Sequence, residues 1–252
     1  MAGTAVLGRL TWLVGTVAAV RSETGTARSI VFDVPGWPGH VAGQHVDVRL
    51  TAADGYSAVR SYSLASAPSH DGRVEITVER LANGEVSPYL TQDVAAGDKL
   101  ELRGPIGGWF VWAPDRTEPV QLVAGGSGLV PLMAMIRSRG AAKSSAPFRL
   151  LYSVREPGAV LYAGELRARA ERGELAVSYA YTRSAPKDWP VPPGRIDAAF
   201  VARAVWPESA SPTCYVCGPT AFVERAAALI GATGIPAERI RTERFGPTGE
   251  PR

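Results

Sequence analysis

The pattern of apolar residues changes near residue 118 of this 252-residue chain, and the change divides the chain into two kinds of structure. Before it, short runs rich in apolar and β-branched residues alternate with turn sequences such as Asp54-Gly55 and Asp71-Gly72, which is typical of antiparallel strands. After it, β-like runs alternate with helical stretches, which is typical of a parallel sheet connected by helices. The sequence therefore predicts two domains, an antiparallel β-barrel over residues 8–113 and an α/β domain over residues 118–252.

These runs also predict the individual elements. Barrel strands are predicted at residues 10–20, 29–32, 45–50, 61–65, 74–80 and 99–103. Strands of the second domain are predicted at residues 120–124, 148–153, 175–182 and 213–216, and helices around residues 130–139, 164–171 and 221–230. Residues 112–118, which include Pro114, are interpreted as the linker.

Composition limits the kinds of partner. No run of about 18 uncharged apolar residues is present, so we expect no membrane span. Residues 11–20 are apolar enough for a signal peptide, but Arg9 alone supplies basic charge before them and Arg21-Ser22-Glu23 is a poor cleavage site. A first barrel strand in a cytoplasmic protein is therefore favoured.

The net charge of +3 comes mainly from scattered arginines. A scattered distribution gives little support to nucleic-acid binding, for which basic residues cluster on one face. The bias toward arginine is explained either by a GC-rich genome or by docking of an acidic electron-transfer partner.

Cys214 and Cys217 are the two cysteines of this sequence, which excludes both a disulfide framework and the four thiolates of an ordinary iron–sulfur cluster. Their spacing is that of a redox dithiol, but in a β-like run they are expected on opposite faces, which disfavours a disulfide. His40, His45 and His70 lack metal-ligand spacing and are expected at the surface. We therefore expect no metal site, and we expect any further electron acceptor to lie elsewhere.

The segment Arg60-Ser61-Tyr62-Ser63 carries the first site pattern. In an extended segment Arg60 and Tyr62 share a face, so a guanidinium can reach a phosphate while a phenol ring lies on an aromatic cofactor. Ser63 faces the other way and reaches such a cofactor only if the strand bends or through its backbone amide. Alone, the segment is equally consistent with a barrel strand that has one exposed face.

A second phosphate-binding pattern begins at Gly84, which permits a tight turn. Ser87 is expected at the N-cap of a short helix with Pro88 at its first position. A helix start of this kind is a natural phosphate site. If the strand that carries Arg60 lies beside it, the two together hold a pyrophosphate; a simple N-cap is the alternative.

In the second domain, Gly125-Gly126-Ser127-Gly128 follows an apolar strand and precedes a helix that Pro131 opens, so bare amides can approach a dinucleotide pyrophosphate. The loop is not a G-x-G-x-x-G fingerprint, because Pro131 takes the place of the third glycine, and it is neither a Walker loop nor a nucleophile elbow. Cys217-Gly218-Pro219 ends the last predicted strand, at the sheet edge where ligands bind in open parallel sheets.

In this order and spacing the motifs resemble those of the ferredoxin-NADP reductase superfamily, the flavoprotein pyridine nucleotide reductases, from about residue 8 to 245. The resemblance implies FAD in the barrel and NADPH or NADH in the second domain. It implies that Arg60 binds the FAD pyrophosphate, that Tyr62 packs on the isoalloxazine ring, and that Ser63 hydrogen-bonds near the redox nitrogen of the flavin. Cys217 is implied to lie beside the nicotinamide, which makes Ser63 and Cys217 the implied catalytic residues.

The resemblance implies further cofactor-binding residues. They are Ser61, Val78, Gly84, Val86 and Ser87 for FAD, and Gly125, Gly126, Ser127, Gly128, Cys217, Gly218 and Pro219 for the dinucleotide. The family often ends with a carboxylate and an aromatic residue near the flavin, which here are Glu243 and Phe245. Unlike plant-type members, this chain continues past that aromatic residue to Arg252, so the shielding of the flavin face is not predicted.

Three functional classes remain open on the sequence. The leading one is a dehydrogenase that passes electrons from NAD(P)H through FAD to a separate ferredoxin, oxygenase or molybdenum enzyme subunit. The second reduces a diffusible small molecule such as free flavin or a quinone. The third is a non-catalytic interaction subunit, and the intact nicotinamide motifs argue against it.

Cofactor preference is predicted from the ends of the second and third strands of the α/β domain, where Arg155 and Arg183 stand. An acidic residue that would grip the ribose diol of NADH is missing there, and arginine can instead bind a 2′-phosphate. NADPH is therefore predicted, carried mainly by Arg183 and secondarily by Arg155; solvated loop arginines are the alternative.

Overall fold

A computed structural model describes residues 10–52, 54–69 and 71–246, which form two sheets with flanking helices. The strands are β1 (Trp12–Ser22), β2 (Ala27–Asp33), β3 (His45–Thr51), β4 (Ser57–Ser63), β5 (Arg73–Glu79), β6 (Lys99–Ile106), β7 (Val120–Gly125), β8 (Phe148–Val154), β9 (Ala176–Tyr181), β10 (Thr213–Pro219) and β11 (Ile240–Phe245). The α-helices are α1 (Ser87–Gln92), α2 (Leu129–Ala141), α3 (Ala163–Glu171), α4 (Ala198–Ala204) and α5 (Thr220–Gly231). None of these helices is long and apolar enough to cross a membrane.

The first sheet is antiparallel, with strand order β4-β3-β6-β1-β2-β5. A bridge between Leu64, just after β4, and Ile76 of β5 joins the two ends of this order, which closes the sheet on itself. Alternate residues of the strands point inward and form one apolar cluster that includes Ile30, Phe32 and Leu102, all fully buried. The predicted antiparallel barrel is confirmed.

The second sheet is parallel throughout, with strand order β11-β10-β7-β8-β9. Every residue of the central strand β7 is buried, because helices cover both faces of the sheet. That burial explains why β7 reads as a continuous apolar run in the sequence. The predicted parallel α/β domain is confirmed.

Trp112 corrects the predicted linker. Its side chain is fully buried, its ring centroid lies 5.1 Å from that of Phe148 on β8, and its amide donates a hydrogen bond to the Ala42 carbonyl. Residues of the barrel side therefore enter the apolar cluster of the second domain. The segment 112–118 begins inside the core and is not a free connection.

Buried polar contacts also join the two domains. Arg137 of α2 donates hydrogen bonds to Glu75 of β5 at 2.8 Å, to the Ala65 carbonyl at 3.0 Å and to Glu165 of α3 at 2.7 Å. Tyr162, which precedes α3, donates its hydroxyl to Thr77 of β5 at 2.5 Å. Because these partners belong to different sheets, the network holds the barrel and the α/β domain in one relative orientation.

Candidate functional site

A cleft lies between the carboxyl edge of the parallel sheet and the barrel. It has a volume of about 220 Å³, and residues of both domains line it. Six residues that the sequence predicts for cofactor binding line this cleft: Gly125, Gly126, Ser127, Arg155, Pro219 and Phe245. The strand ends that the sequence identified as the ligand edge therefore meet at one place.

The glycine loop lies between β7 and α2 and packs tightly against β10 and α5. A Cβ atom on Gly128 would lie 2.1 Å from the Cys217 carbonyl oxygen, and one on Gly125 would lie 2.5 Å from the ring of Phe222. Gly126 has a φ of +54°, in the left-handed region that glycine tolerates best. The helix begins at Leu129 after a short 3₁₀ turn, two residues before the predicted start at Pro131.

Cys217 lies where β10 pairs with β11, and its register partner there is Glu243. Burial raises the pKa of the Cys217 thiol well above its usual range, and the nearby Glu243 carboxylate adds to this effect. Cys214 belongs to the apolar cluster on the other face of the sheet, as the alternation predicted. Both cysteines are buried and free, so Cys217 is a neutral thiol at neutral pH.

Glu243 is a largely buried carboxyl group on β11, the edge strand of the parallel sheet. Burial raises its pKa to about 7, and its Oε2 atom is shielded from solvent and finds no hydrogen-bond partner among the described residues. His45 of β3 lies nearby, with its Nδ1 atom 4.0 Å from Glu243 Oε1, and burial lowers the pKa of its imidazole. His45 is the register partner of Ser63 on β4, so His45 connects the Ser63 strand with the Cys217 and Glu243 pair.

The two predicted phosphate-binding elements of the barrel are neighbours. Arg60 of β4 donates a hydrogen bond from Nη2 to Glu85 Oε2 at 2.7 Å, and Glu85 lies in the turn before α1. The guanidinium is about half exposed and faces the turn that contains Gly84 and Ser87. A charged donor thus stands beside a loop at a helix start, which fits the requirements of a pyrophosphate.

The structure gives Gly84 and Ser87 structural roles that differ from the predicted tight turn and N-cap. Val86 is the N-cap of α1, while Ser87 is its first residue and Pro88 its second. The Ser87 hydroxyl accepts a hydrogen bond from the Leu81 amide at 3.0 Å, so it closes the turn instead of capping the helix. Gly84 has an ordinary φ but no room for a Cβ atom, which would lie 2.8 Å from Ser87 Oγ.

The remaining predicted barrel residues differ in which of their atoms are available to a ligand. Tyr62 is half-buried against the barrel core, and burial raises its pKa to about 12, so its phenol stays protonated. The Ser61 hydroxyl donates to Asp47 at 2.7 Å and is already engaged within the sheet. The side chains of Val78 and Val86 are buried in the barrel, so only their backbone atoms can reach a ligand.

Two family models match the chain, and they divide it at the same place as the two sheets. The oxidoreductase FAD-binding domain matches residues 19–111, and the oxidoreductase NAD-binding domain matches residues 122–228. The chain belongs to the ferredoxin reductase-like flavoprotein family. Its cofactors are FAD and a nicotinamide dinucleotide.

Relatives of this reductase-like chain span most of its length. The ferredoxin reductase component of 3-ketosteroid-9-alpha-monooxygenase from Mycolicibacterium smegmatis is 33% identical over 236 residues, which are 91% of this chain and 64% of that protein. The ferredoxin--NAD(P)(+) reductase component of the naphthalene 1,2-dioxygenase/salicylate 5-hydroxylase systems of Ralstonia sp. is 28% identical and covers 93% of this chain and 69% of that protein. The chain thus spans about two thirds of the length of these curated relatives.

Solved structures share its architecture. The FAD/NAD-binding domain of nitric oxide dioxygenase from Vibrio cholerae superimposes with a TM-score of 0.81 at 25% identity, covering 93% of this chain and 99% of that one. The Amycolatopsis cytochrome P450 reductase GcoB superimposes with a TM-score of 0.80 at 27% identity, covering 98% of this chain and 74% of that one. Both comparisons include the barrel and the α/β domain together.

The two arginines predicted to select the dinucleotide are adjacent in this reductase-like fold. Arg155 follows β8 and lines the cleft, and the Arg183 amide donates a hydrogen bond to its carbonyl at 2.9 Å. Arg183 follows Thr182, which also lines the cleft. Both side chains are exposed, so either can turn toward a ligand at this edge.

Sequence reasoning missed the contribution of the barrel to the cleft. Thr24 and Thr26 of the β1–β2 turn and Glu79 at the end of β5 line it opposite the glycine loop. Their side chains are polar and partly or fully exposed, but isolated threonines in a hairpin carry no recognisable motif. Glu85 and His45 were missed for the same reason, because only tertiary contacts bring them to the predicted residues.

The predicted surface position is wrong for His40. His40 is buried, accepts a hydrogen bond from Trp37 at 3.3 Å and contacts the Ser66 carbonyl at 3.1 Å through its Nε2 atom. It is therefore a structural residue, contrary to the surface position expected, and His70 lies outside the described residues. Within the described part of the chain, no group of three or more His, Cys, Asp or Glu side chains has the arrangement of a metal site.

Proposed function

We propose that this chain takes a hydride from NAD(P)H onto FAD and passes the electrons to a separate protein acceptor. The observation that supports this most is the cleft that joins the glycine loop, Pro219 and Phe245 between an FAD-binding barrel and an NAD-binding sheet. When bound, the two cofactors supply the redox chemistry, in which a hydride moves from the nicotinamide to the flavin. The protein's part is to bind, orient and shield them.

The proposed FAD site uses the barrel. Arg60 and the turn at Gly84 and Ser87 bind the pyrophosphate, with backbone atoms of Val78 and Val86 beside it. Tyr62 packs against the flavin ring, and Phe245 bounds the cleft on the opposite side of the site. Ser61 supports this arrangement through its hydrogen bond to Asp47. Ser63 is proposed to donate a hydrogen bond to the flavin.

The proposed dinucleotide site uses the carboxyl edge of the parallel sheet. The amides of the loop Gly125–Gly128 bind the pyrophosphate, with Gly218 and Pro219 beside the nicotinamide end. Cys217 orients the nicotinamide as a neutral thiol, and Glu243, whose raised pKa is about 7, holds or releases a proton near it. Hydride transfer requires placement and a water-poor site, and it requires no acid–base triad.

The proposed acceptor is a ferredoxin, an oxygenase component or a molybdenum enzyme subunit. Two curated relatives are named as reductase components of oxygenase systems, which supports the first two. The two cysteines of this sequence cannot hold an iron–sulfur cluster, so the acceptor lies outside these 252 residues. A cytoplasmic location is proposed because both cysteines are free thiols, as expected in a reducing compartment.

Turnover with different acceptors tests the proposed partner. The purified protein is supplied with NADPH and either a small ferredoxin or free flavin, and consumption of NADPH is followed by absorbance. Faster turnover with the ferredoxin supports the proposal. Steady turnover with free flavin and none with the ferredoxin identifies a reductase of a diffusible molecule instead.

NADPH is the proposed donor, because the guanidinium groups of Arg183 and Arg155 stand at the strand ends beside the cleft and suit a 2′-phosphate. Arg183→Ala is expected to lower the preference for NADPH over NADH about tenfold, and Arg155→Ala less, as loss of one charge-assisted contact requires. The measurement compares rates of anaerobic flavin reduction by the two donors. Faster reduction by NADH in the parent protein, or unchanged discrimination in the Arg183 variant, removes both arginines from the site.

We also retain the proposed domain bounds, residues 8–113 for the FAD-binding domain and 118–252 for the NAD(P)-binding domain. Residues 8, 9 and 247–252 lie outside the described residues. Limited proteolysis that releases a stable fragment ending near residue 113 tests this division.

A further inference from the structure

Glu85 stands at the centre of the site that is to receive the FAD phosphates. It lies in the turn between β5 and α1, one residue after Gly84 and two before Ser87. Its Oε2 atom accepts a hydrogen bond from Arg60 Nη2 at 2.7 Å, and its Oε1 atom accepts one from the Tyr56 hydroxyl at 3.2 Å. The turn therefore presents a carboxylate directly to the guanidinium that the proposed function assigns to the pyrophosphate.

The contact occupies the Arg60 donor that faces the turn. While Nη2 bonds to Glu85, Nη1 donates to the Val59 carbonyl at 2.8 Å, so both terminal nitrogens already have an oxygen partner. A phosphate oxygen and a carboxylate oxygen accept hydrogen bonds from the same guanidinium N–H groups. Only one of the two anions can take the Arg60 donor that faces the turn.

Both members of the pair are accessible to a ligand. The Arg60 and Glu85 side chains are 51% and 54% exposed, so an exchange of partners requires no opening of the core. An ion pair as exposed as this contributes little to stability. Its position in a phosphate-binding turn consequently matters more for binding than for folding.

Tyr56 fixes the direction of the carboxylate. Its side chain is 59% exposed and so contributes little to the core, while its hydroxyl holds one Glu85 oxygen. The other oxygen is then directed at Arg60.

We propose that Glu85 is a built-in competitor of the FAD phosphates for Arg60, which lowers the affinity for FAD and speeds its exchange. The inference rests on the proposed function, in which Arg60 binds the pyrophosphate of FAD. It adds that the binding step exchanges one carboxylate for a phosphate at a fixed guanidinium. Because a carboxylate close to a pyrophosphate also repels it, both effects act in the same direction.

The test is a titration of the full chain, stripped of flavin, with FAD and with riboflavin, which has no phosphate. Glu85→Gln keeps the size of the side chain and removes the charge, and Tyr56→Phe removes the hydroxyl that orients it. Asp33→Asn is the matched control, because Asp33 forms an exposed ion pair with Arg73 at 2.9 Å at the far end of β5. Binding is followed by quenching of flavin fluorescence at low and at high salt.

The proposal predicts that Glu85→Gln binds FAD about three- to tenfold more tightly at low salt, with a smaller gain at high salt. Tyr56→Phe is expected to show a smaller gain in the same direction, and Asp33→Asn none. Riboflavin affinity is expected to be unchanged in all variants, because the competition involves phosphate alone.

Two results overturn the inference: Glu85→Gln binds FAD no more tightly than the parent protein, or it tightens riboflavin as much as FAD. The first would make Glu85 a neutral or supporting neighbour, and the second would make its effect independent of phosphate. If the parent protein and every variant fail to bind FAD at all, the proposed function itself fails, so the two failures are distinguishable.

Discussion

The surroundings of Cys217 determine the protonation state of its thiol. Its thiol is buried near Glu243, its register partner on β11, and its pKa is raised well above the usual range, while Cys214 packs on the opposite face of the same strand. Burial raises the pKa of Cys214 to about 12. Neither thiol is a nucleophile at neutral pH, so the role left for Cys217 is positional.

Replacement of the two cysteines separates position from redox chemistry. Cys217→Ser is expected to slow flavin reduction by NADPH about ten- to a hundredfold while FAD stays bound, because small misplacements at the reacting centre are costly. Cys214→Ser is expected to change the rate little. Stopped-flow absorbance measures both rates, and an equal loss in the two variants would instead point to a dithiol.

Glu243 links the site to the pH dependence of stability. Its pKa rises from 4.5 to about 7 on folding, so between these values the folded protein holds a proton that the unfolded chain releases. The free energy of unfolding therefore falls as pH rises through this window, by about 3 kcal/mol for this group. Above pH 7 the charged carboxylate remains as a destabilising group.

Glu243→Gln is expected to remove that slope and to raise stability at pH 8 by about the same 3 kcal/mol. Urea unfolding at pH 5 and pH 8 measures the difference. Glu224→Gln is the control, because Glu224 is an exposed residue paired with Arg244. A pH slope that is identical in the Glu243 variant and the parent protein would show that another group titrates in this window.

At the scale of elements, the sequence predicted strands and helices wherever a periodic apolar pattern was long. Both sheets, the glycine loop and the carboxyl-edge motif Cys217-Gly218-Pro219 followed from such patterns. Strand β11 did not, because Ile240–Phe245 contains Arg241, Glu243 and Arg244 and owes its strand conformation to pairing with β10. Helix α4 was not predicted either, because its seven residues are too few to show a clear apolar period. Its start does carry a signal, since Asp197 is the N-cap and accepts a hydrogen bond from the Phe200 amide at 2.7 Å.

The contacts between elements explain which site residues the sequence missed. Glu85 reaches Arg60 of β4 from the turn before α1, and His45 of β3 approaches Glu243 of β11 from the other sheet. Neither residue belongs to a motif, and strand order is not readable from one sequence. The motif residues were found because phosphate binding imposes glycines and a helix start at fixed spacing.

Arg137 is the element-scale contact with the largest expected effect on stability. Arg137→Ala leaves Glu75 and Glu165, both partly or largely buried, with fewer partners, although Arg21 still pairs with Glu75 and Arg169 with Glu165. A loss of about 3 kcal/mol in the free energy of unfolding is expected. Arg172→Ala, which removes an exposed pair with Glu174, is expected to cost less than about 1 kcal/mol.

Urea unfolding followed by intrinsic fluorescence measures both arginine variants. Because the Arg137 contacts join the barrel to the α/β domain, their loss is also expected to broaden the transition as the two domains unfold less cooperatively. Equal small losses in the two variants would show that Arg137 does not connect the domains energetically.

At the scale of the whole molecule, two domains that each bind one dinucleotide are useful only if the reacting ends meet. The cleft between the barrel and the carboxyl edge of the parallel sheet is where they can meet, lined by the glycine loop and Pro219 of the sheet and by Thr24, Thr26 and Glu79 of the barrel. Polar contacts such as those from Arg137 to Glu75 and from Tyr162 to Thr77 join the two domains. The account therefore depends on one event, transfer from the nicotinamide site to the flavin site.

Anaerobic titration of the purified protein with NADPH tests that event most directly. The account predicts a yellow protein whose visible flavin absorption is bleached by about one equivalent of NADPH, and which releases FAD, without a covalent link, on acid or heat treatment. A protein that carries no flavin, releases FMN, or keeps its flavin colour in the presence of excess NADPH and NADH would contradict it.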